Sequence, residues 1–424
     1  MPILSNLISK LNKKLSNQFL RNFGWLGMAE VISRISRLAL TVILARYLTP
    51  YDYGLAAIVG TVSEFTRVFT EVGVGAKIIQ AQAKDVEQLS NSGYWLNWTV
   101  FVCLFIVQCI VAFPIAWFYH DRNLIFPICI SAIPALILPI GVIQYTLIVR
   151  ENKLKICAIT NVIKNLTVYL LSAIFAILSL GVWAIVLPWV FVTPIEMLIY
   201  RRNHAWRPTG GLTTKYWLDI LSFGKNILGV QLLKTLRNNL DYLIVGRFLG
   251  IQQLGIYFFG FNAGLGISLS IINAINTATL PYLCATTNVL ELKKSYINVV
   301  KTISFVIVPL VLLQSGLAHI YVPIIFGKKW IDAIPVLVII CLSAIPRPFA
   351  DAASQLLVAI GKPNLDLRWN ILFTTIFSTA ILIGVHWQVI GVAVSVLLIH
   401  IIFLPLFTFW ATRYVFRLTA QNHQ

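Results

Sequence analysis

The feature that most constrains the fold is a series of apolar stretches, each about 20 residues long, that runs through the whole chain. A helix of that length crosses the hydrocarbon core of a bilayer. Because backbone groups cannot stay unpaired in lipid, such stretches form helices or closed barrels. About twelve candidate spans centre near Leu40, Ser63, Phe105, Leu136, Leu170, Val190, Thr235, Gly266, Val308, Ile345, Thr379 and Phe403. The sequence therefore predicts an all-α polytopic membrane protein with about 12 transmembrane helices.

The composition supports a membrane location and argues against a metal site or a disulfide framework. Hydrophobic residues make up 58% of the chain and charged residues only 11%, whereas soluble domains carry about 25% charged residues. All six cysteines lie in apolar runs, without a CxxC pair or a Cys/His cluster. We therefore expect buried cysteines, no metal site and no cofactor.

Lys and Arg residues are distributed unevenly between alternate loops, and this predicts the orientation of the chain. With the N-terminus placed in the cytoplasm, eighteen of the 33 Lys and Arg residues fall in cytoplasmic turns and tails, and five in extracytoplasmic turns. Because short cytoplasmic loops collect positive charge, both termini are expected in the cytoplasm. The net charge of +18 therefore reflects topology, and nucleic acid is not expected as a partner.

Residues 1–20 combine apolar and basic positions at helical spacing. Leu4, Leu7, Leu11 and Leu15 recur along one face, with lysines between them. This pattern predicts a basic amphipathic helix that lies on the cytoplasmic face of the membrane and contacts its lipids. An unstructured basic tail is the alternative.

A turn between two apolar stretches occurs twice, and its spacing predicts an internal repeat. ILARYLTPYDYG ends at Gly54 and IVGRFLGIQQLG ends at Gly255; Arg46 and Arg247 lie 201 positions apart, as the glycines do. We predict two pseudo-symmetric six-helix lobes around a central cavity, residues 21–205 with the start of the linker and residues 206–424. At each turn the arginine is expected to cap the helix end, and the glycine to let the next helix start close by. A role in an outer gate is the alternative.

Charged residues inside the predicted spans are the candidate functional residues, because a central charge costs about 2.5–3.5 kcal/mol on insertion scales. The cations are Arg34, Arg37, Arg67, Lys164, Lys234, Arg237 and Arg347. The acids near them are Glu30, Glu64, Glu71, Asp241 and Asp351.

Two interpretations of these charges stay open. Several are four residues apart, as Arg237 and Asp241 are, and could form ion pairs along one helix. Alternatively, the seven cations exceed the five acids and form a cationic cavity between the lobes. Such a cavity would suit an anionic, phosphate-bearing cargo, because guanidinium groups bind phosphate bidentately.

The sequence resembles the oligosaccharide flippases of the Wzx-like, polysaccharide transport branch of the multidrug/oligosaccharidyl-lipid/polysaccharide (MOP) exporter superfamily. The resemblance rests on LARYLTPYDYGLAAI after the first predicted span, EVGVGAKIIQ closing the second and YLIVGRFLGIQQLGIY after the seventh. It covers nearly the whole chain, from about Phe23 to Tyr414, and matches no individual cavity residue to a family motif.

The resemblance implies a transporter rather than an enzyme. It implies two six-helix lobes around a central cavity, and translocation of an undecaprenyl-pyrophosphate-linked glycan across the bacterial cytoplasmic (inner) membrane for cell-surface polysaccharide biosynthesis. Alternating access would be coupled to an ion gradient or to the membrane potential. The resemblance does not decide whether the coupling ion is H⁺ or Na⁺. Polysaccharide polymerase or assembly proteins are further candidate partners.

Two other functions remain as alternatives. A drug or cation exporter of the same superfamily should carry an excess of acids in its cavity, whereas Lys234 and Arg237 lie in the seventh predicted span. A membrane-embedded glycosyltransferase or polymerase usually needs a large extracytoplasmic loop with carboxylates. The loops here are short and contain few acids, such as Asp121 and Asp332.

Overall fold

The computed structural model describes residues 33–34, 36–70, 73–209, 211–286 and 288–421, and the regular structure of these residues is helical. The helices are α1 (36–47), α2 (Pro50–Thr70), α3 (Val74–Gln80), α4 (Val86–Phe118), α5 (Ile125–Ile137), α6 (Val142–Arg150), α7 (Leu154–Ile177), α8 (Trp183–Asn203), α9 (Trp217–Leu249), α10 (Ile251–Cys284), α11 (Val289–Gly316), α12 (Ala318–Tyr321), α13 (Ile334–Ser343), α14 (Arg347–Ala359), α15 (Pro363–Gly384) and α16 (Gln388–Gln421). The predicted amphipathic segment at 1–20 lies outside the described residues.

The helices coincide with the apolar stretches of the sequence. Eleven of the twelve predicted span centres lie within a helix, and the twelfth, Ile345, lies between α13 and α14. Over the described residues, seven helical stretches are long and apolar enough to cross a membrane, and one of them, Pro363–Arg417, contains α15 and most of α16. The chain is therefore a multi-pass helical membrane protein, and the count of twelve spans remains a prediction.

The fourth and tenth predicted spans are each built from two shorter helices. In the fourth, α5 and α6 are separated by a 3-10 turn that contains Pro139. In the tenth, α13 ends at Ser343 and α14 begins at Arg347, next to Pro346. A proline lacks the amide hydrogen that would continue the helical ladder, so each break lies where the sequence places a proline. The two broken spans occupy equivalent places in the predicted repeat.

Contacts between residues divide the chain into two compact units. The first comprises the described part of Met1–Leu48 together with Val59–Leu236, and the second comprises Thr49–Ile58 together with Arg237–Gln424. In the first unit α4 packs on α5, and α8 packs on α5 and α7; in the second, α10 packs on α13 and α14, and α16 packs on α13, α14 and α15. The two units are defined by contacts, whereas the predicted lobes are defined by the sequence repeat. The lobe boundary after residue 205 therefore remains a prediction.

The first repeat turn contains a local signal that starts α2. The backbone N–H and the hydroxyl of Thr49 donate to Asp52 Oδ2 at 2.9 Å and 2.6 Å, and the Asp52 N–H donates to Thr49 Oγ1 at 3.2 Å. This reciprocal arrangement is a capping box, and Pro50 stands at the first helical position, where a missing N–H costs nothing. The sequence TPYD therefore fixes where α2 begins.

The two repeat turns lie against each other in the second unit. A Cβ added to Gly54 would overlap the carbonyl oxygen of Ile251, and one added to Gly255 would overlap that of Pro50. Both glycines are therefore needed for a close backbone approach between the first turns of α2 and α10. The predicted role was to let each helix start close to the one before it. The contacts show a different close approach, between the starts of α2 and α10.

An aromatic cluster in the second unit adds to the contact between α2 and α10. The buried ring of Trp330 stacks on Phe259 with centroids 3.8 Å apart. Tyr53 of α2 meets both rings edge-on, at 5.0 Å from Trp330 and 5.9 Å from Phe259. Aromatic pairs contribute about 0.5–1.5 kcal/mol beyond burial, so the start of α2 is held by packing as well as by its cap.

Candidate functional site

Charged and amide side chains from four helices gather in the second unit, and we call this group the C-terminal polar cluster. Its members are Arg237 and Asp241 of α9, Asn276 of α10, Arg347 and Asp351 of α14, and Asp366 and Asn370 of α15. Four of them belong to the sequence-predicted set, whereas Asn276, Asp366 and Asn370 do not. Sequence spacing could not find the last two, because α15 reaches α9 only through the tertiary fold.

The two arginines of the cluster are half-buried and close enough to repel each other. Arg237 Nη1 donates a hydrogen bond to Asn370 Oδ1, which fixes the direction of its guanidinium. Among the described residues, no carboxylate lies within salt-bridge distance of either arginine. Each guanidinium has five N–H donors, so the pair can donate several hydrogen bonds to one anion.

Two carboxylates of the cluster, Asp241 and Asp351, accept hydrogen bonds from neutral groups. Asp241 is buried and accepts from the Tyr257 hydroxyl at 2.9 Å and from the Tyr242 backbone N–H at 3.0 Å. Asp351 accepts from Asn276 Nδ2 at 2.7 Å. Asp351 and Asp366 still attract Arg237 electrostatically, so the acids moderate the positive potential without forming a direct ion pair.

Ion pairing along one helix, the first of the two interpretations, is therefore not seen at the two positions where both partners are described. Arg237 bonds Asn370 and not Asp241, and Asp351 bonds Asn276 and not Arg347. Partners on neighbouring helices compete with partners four residues away, because interhelical hydrogen bonds also satisfy polar groups in a membrane. The third expected pair includes Glu30, which lies outside the described residues.

An ion pair of the first unit involves a residue that the sequence reasoning missed. Lys164 Nζ of α7 lies 2.9 Å from Glu196 Oε1 of α8, and the two side chains are 22% and 14% exposed. Glu196 was detectable as a single acid in the apolar run WAIVLPWVFVTPIEMLIY. Beside this pair, the amide of Asn165 donates to Ser33 Oγ at 3.2 Å, so polar groups connect α7 with the residues before α1.

Replacing Glu196 with alanine is expected to destabilise the protein by about 1–3 kcal/mol, because it leaves a half-buried ammonium without its partner. Replacing both partners, Lys164→Met with Glu196→Met, should cost less than Glu196→Ala alone. Unfolding of the purified variants in detergent measures both effects. Equal stability of wild type and Glu196→Ala would show that the pair contributes nothing.

The remaining predicted site residues are not members of the C-terminal polar cluster. Arg34 and Glu64 are half-buried in the first unit, and Arg37, Arg67 and Lys234 are exposed. At the repeat turns Arg46 is exposed and Arg247 is half-buried. Glu30 and Glu71 lie outside the described residues.

Two further acids bear on the predicted charge balance. Glu196 pairs with Lys164, and Asp366 interacts with Arg237. With these two the predicted acids number seven, as the predicted cations do. Because Glu30 and Glu71 lie outside the described residues, the cationic surplus remains a prediction. The groups that favour binding of an anion are the guanidinium groups of Arg237 and Arg347, because neither forms a salt bridge with a described carboxylate.

His400 of α16 is a further buried polar residue that was not among the predicted site residues. It is buried, stacks on Phe377 with centroids 5.8 Å apart, and its Nδ1 lies 3.0 Å from the Ser343 carbonyl oxygen. A carbonyl can only accept, so Nδ1 carries the hydrogen. His400 thereby connects α16 to the break in the tenth predicted span. Within the described part of the chain, no three His, Cys, Asp or Glu side chains are arranged to hold a metal ion.

Comparison with known proteins gives the family. Residues 43–335 match the family model described as polysaccharide biosynthesis protein. The teichuronic acid biosynthesis protein TuaB of Bacillus subtilis is 24% identical over 361 residues, which are 84% of this chain and 74% of that protein. The lipopolysaccharide biosynthesis protein WzxC of Escherichia coli is 24% identical over 390 residues, which are 89% of this chain and 77% of that protein.

Solved structures give the fold. The lipid II flippase MurJ in an inward-closed conformation matches with a TM-score of 0.72 at 15% identity, over 92% of this chain and 87% of MurJ. An inward-facing multidrug resistance MATE transporter of the MOP superfamily matches with a TM-score of 0.69 at 14% identity, over 91% of this chain and 96% of that one. The chain therefore belongs to the polysaccharide biosynthesis protein family, as a multi-pass membrane protein with the fold of the MOP-superfamily flippases and transporters.

Proposed function

We propose that this protein flips an undecaprenyl-pyrophosphate-linked oligosaccharide across the bacterial cytoplasmic membrane, for cell-surface polysaccharide biosynthesis. Family membership and the fold shared with a lipid II flippase support a transporter and not an enzyme. The proposal needs no covalent chemistry and no cofactor. Both termini would lie in the cytoplasm, as the distribution of Lys and Arg predicts.

The observation that carries the cargo class is the arginine pair of the C-terminal polar cluster. Arg237 and Arg347 repel each other, and neither forms a salt bridge with a described carboxylate. An anion placed between them would relieve that repulsion and accept several charge-assisted hydrogen bonds, which are about twice as strong as neutral ones. A pyrophosphate suits such a site, because it carries several acceptor oxygens and more than one negative charge.

The energetics of the bilayer explain why a flippase needs such a site. A phosphate charge that enters hydrocarbon without partners has a prohibitive solvation cost. In the proposed mechanism the pyrophosphate and glycan follow a water-filled path lined by arginines, while the polyprenyl tail remains in lipid. Alternating access, driven by an H⁺ or Na⁺ gradient or by the membrane potential, would expose that path to one leaflet and then the other.

Reconstitution tests this function directly. Purified wild-type protein in liposomes is expected to move a fluorescent undecaprenyl-pyrophosphate glycan between leaflets, measured by the dye fraction that a membrane-impermeant quencher reaches. Protein-free liposomes are the control. Equal rates in the two preparations, with correctly inserted protein, would contradict the proposal.

The fold is shared with a MATE transporter, so export of organic cations is the competing function. The same liposomes measure uptake of a fluorescent organic cation, with and without an imposed H⁺ or Na⁺ gradient. Cation transport without movement of the glycan lipid would replace the proposed function with this alternative.

A further inference from the structure

An apolar groove opens in the second unit between α11, α16 and the break in the tenth predicted span. It has a volume of about 500 Å³, within the range of about 300–1,000 Å³ typical of small-molecule sites. Residues that line it include Tyr296, Val300, Pro346, Phe349, Pro405 and Phe409. The groove lies outside the C-terminal polar cluster, and the proposed cargo site makes no use of it.

The hydroxyl groups along the groove are already bonded within the protein. Thr408 Oγ1 donates to the Leu404 carbonyl oxygen at 2.8 Å, and Thr412 Oγ1 donates to the Thr408 carbonyl oxygen at 2.5 Å. The Tyr296 hydroxyl lies 3.2 Å from Thr412 Oγ1. The groove wall therefore presents carbon to an occupant, and Phe409 is 64% exposed in it. A hydrocarbon chain is the occupant that this surface fits.

Basic side chains stand at one end of the groove. The Arg413 guanidinium lies 5.9 Å from the centroid of the Phe409 ring, so it covers a residue of the lining. Lys293 precedes Tyr296 by one helical turn on the same face of α11, and both cations are exposed. Basic pockets between membrane helices bind anionic lipid headgroups. The basic end is the one that the distribution of Lys and Arg predicts to be cytoplasmic.

The distance from Arg413 to Pro405 along α16 is close to the thickness of one leaflet. Arg413 and Pro405 are eight residues apart on α16, which corresponds to about 12 Å along a helix. One leaflet contributes about 15 Å of hydrocarbon. A chain anchored by its phosphate at Arg413 would therefore reach the helix break beside Pro346 near the middle of the bilayer.

We propose that this groove binds an anionic phospholipid of the cytoplasmic leaflet, with an acyl chain along Val300, Phe409 and Pro405 and the phosphate at Lys293 and Arg413. The lipid acts as a permanent ligand and not as cargo. Pro346 and Phe349 flank Arg347 in sequence, so a bound chain packs against the same helix start that carries an arginine of the C-terminal polar cluster.

Native mass spectrometry of the detergent-purified protein tests the proposal, with dioleoylphosphatidylglycerol as the anionic probe and dioleoylphosphatidylethanolamine as the zwitterionic one. Wild type is expected to retain one phosphatidylglycerol and to prefer it over phosphatidylethanolamine. In the double variant Lys293→Gln/Arg413→Gln, binding of phosphatidylglycerol should weaken by about 30-fold, because two headgroup cations are removed. Thr408→Trp, which fills the groove, should abolish retention of either lipid.

Arg202→Gln, at the exposed end of α8, is the matched control and should retain phosphatidylglycerol as wild type does. The glutamine variants change only exposed side chains, so they keep the test valid if Thr408→Trp fails to fold. Equal retention of the two lipids by wild type, or unchanged retention in Lys293→Gln/Arg413→Gln, would overturn the proposal. Displacement of phosphatidylglycerol by equimolar undecaprenyl phosphate would reassign the groove to the polyprenyl chain of the cargo. Because retention is measured without transport, the result is independent of the proposed flippase activity.

Discussion

Gly255→Ala is expected to destabilise the protein by about 3 kcal/mol or more, at or beyond the upper end of the usual overpacking penalty. The added methyl would overlap the Pro50 carbonyl oxygen. A backbone atom cannot rotate away as a flexible side chain can, so α2 and α10 have to separate. That separation would also loosen the contacts of Tyr53 with Phe259 and Trp330. The measurement is the thermal midpoint of the purified protein in detergent, together with the yield of monodisperse protein.

Gly60→Ala is the matched control, because Gly60 also lies in α2 and a Cβ there meets nothing within 4 Å. Alanine in place of an exposed helical glycine should stabilise by about 0.5–1 kcal/mol. Gly54→Ala should act as Gly255→Ala does, through the Ile251 carbonyl oxygen. One separation of the helices relieves both overlaps, so the double variant should lose less than the sum of the single losses. A Gly255→Ala protein as stable as Gly60→Ala would contradict the close approach of the two turns.

Arg237→Ala is expected to lower the rate of glycan-lipid movement in liposomes by about 100-fold, since a hydrogen bond to a charged group is worth about 1.5–3 kcal/mol and each 1.4 kcal/mol is tenfold. Arg237→Lys keeps the charge but loses the planar fork, and should retain about a tenth of the rate. Asn370→Ala should lower the rate less than Arg237→Ala, because Asn370 positions the guanidinium and does not carry the charge. Arg347→Ala should resemble Arg237→Ala.

Arg202→Ala controls for the loss of an exposed arginine outside the C-terminal polar cluster and should transport as wild type does. Each variant is first checked for wild-type thermal stability and insertion, so that a transport defect is not a folding defect. Full transport by both Arg237→Ala and Arg347→Ala would rule out the arginine pair as the anion site. The flippase proposal itself would survive that result, because the wild-type assay tests it separately.

Much of the helical framework was predictable because apolar length determines where a chain can cross a bilayer. The predicted span centres lie in helices except at Ile345, where SAIP forms a break. The same four letters at residues 131–134 lie inside α5. The same tetrapeptide is therefore helical in one place and breaks the helix in the other, and the surrounding packing determines which. Hydropathy and repeat spacing alone cannot predict such a local difference.

The sequence predicts several residues of the candidate site, but it does not predict their hydrogen-bond partners. Hydropathy identifies Arg237, Arg347 and Asp241 as charges inside apolar stretches, because such charges are costly anywhere along a span. Their partners come from other helices, and Asn370 lies 133 residues from Arg237. Helical spacing identifies only partners three or four residues apart on the same helix. It therefore predicts ion pairs along one helix, whereas the fold forms hydrogen bonds between helices.

The contact between Gly54 and Gly255 has a consequence for synthesis of the chain. A ribosome that adds about 5–20 residues per second needs roughly 10–40 s to extend the chain from the first repeat turn to the second. Throughout that interval, the first turn of α2 is inserted without the backbone surface against which it finally packs. Late docking of this segment is therefore built into the order of the sequence, and Tyr53 lacks its aromatic partners Phe259 and Trp330 until those residues have been synthesised.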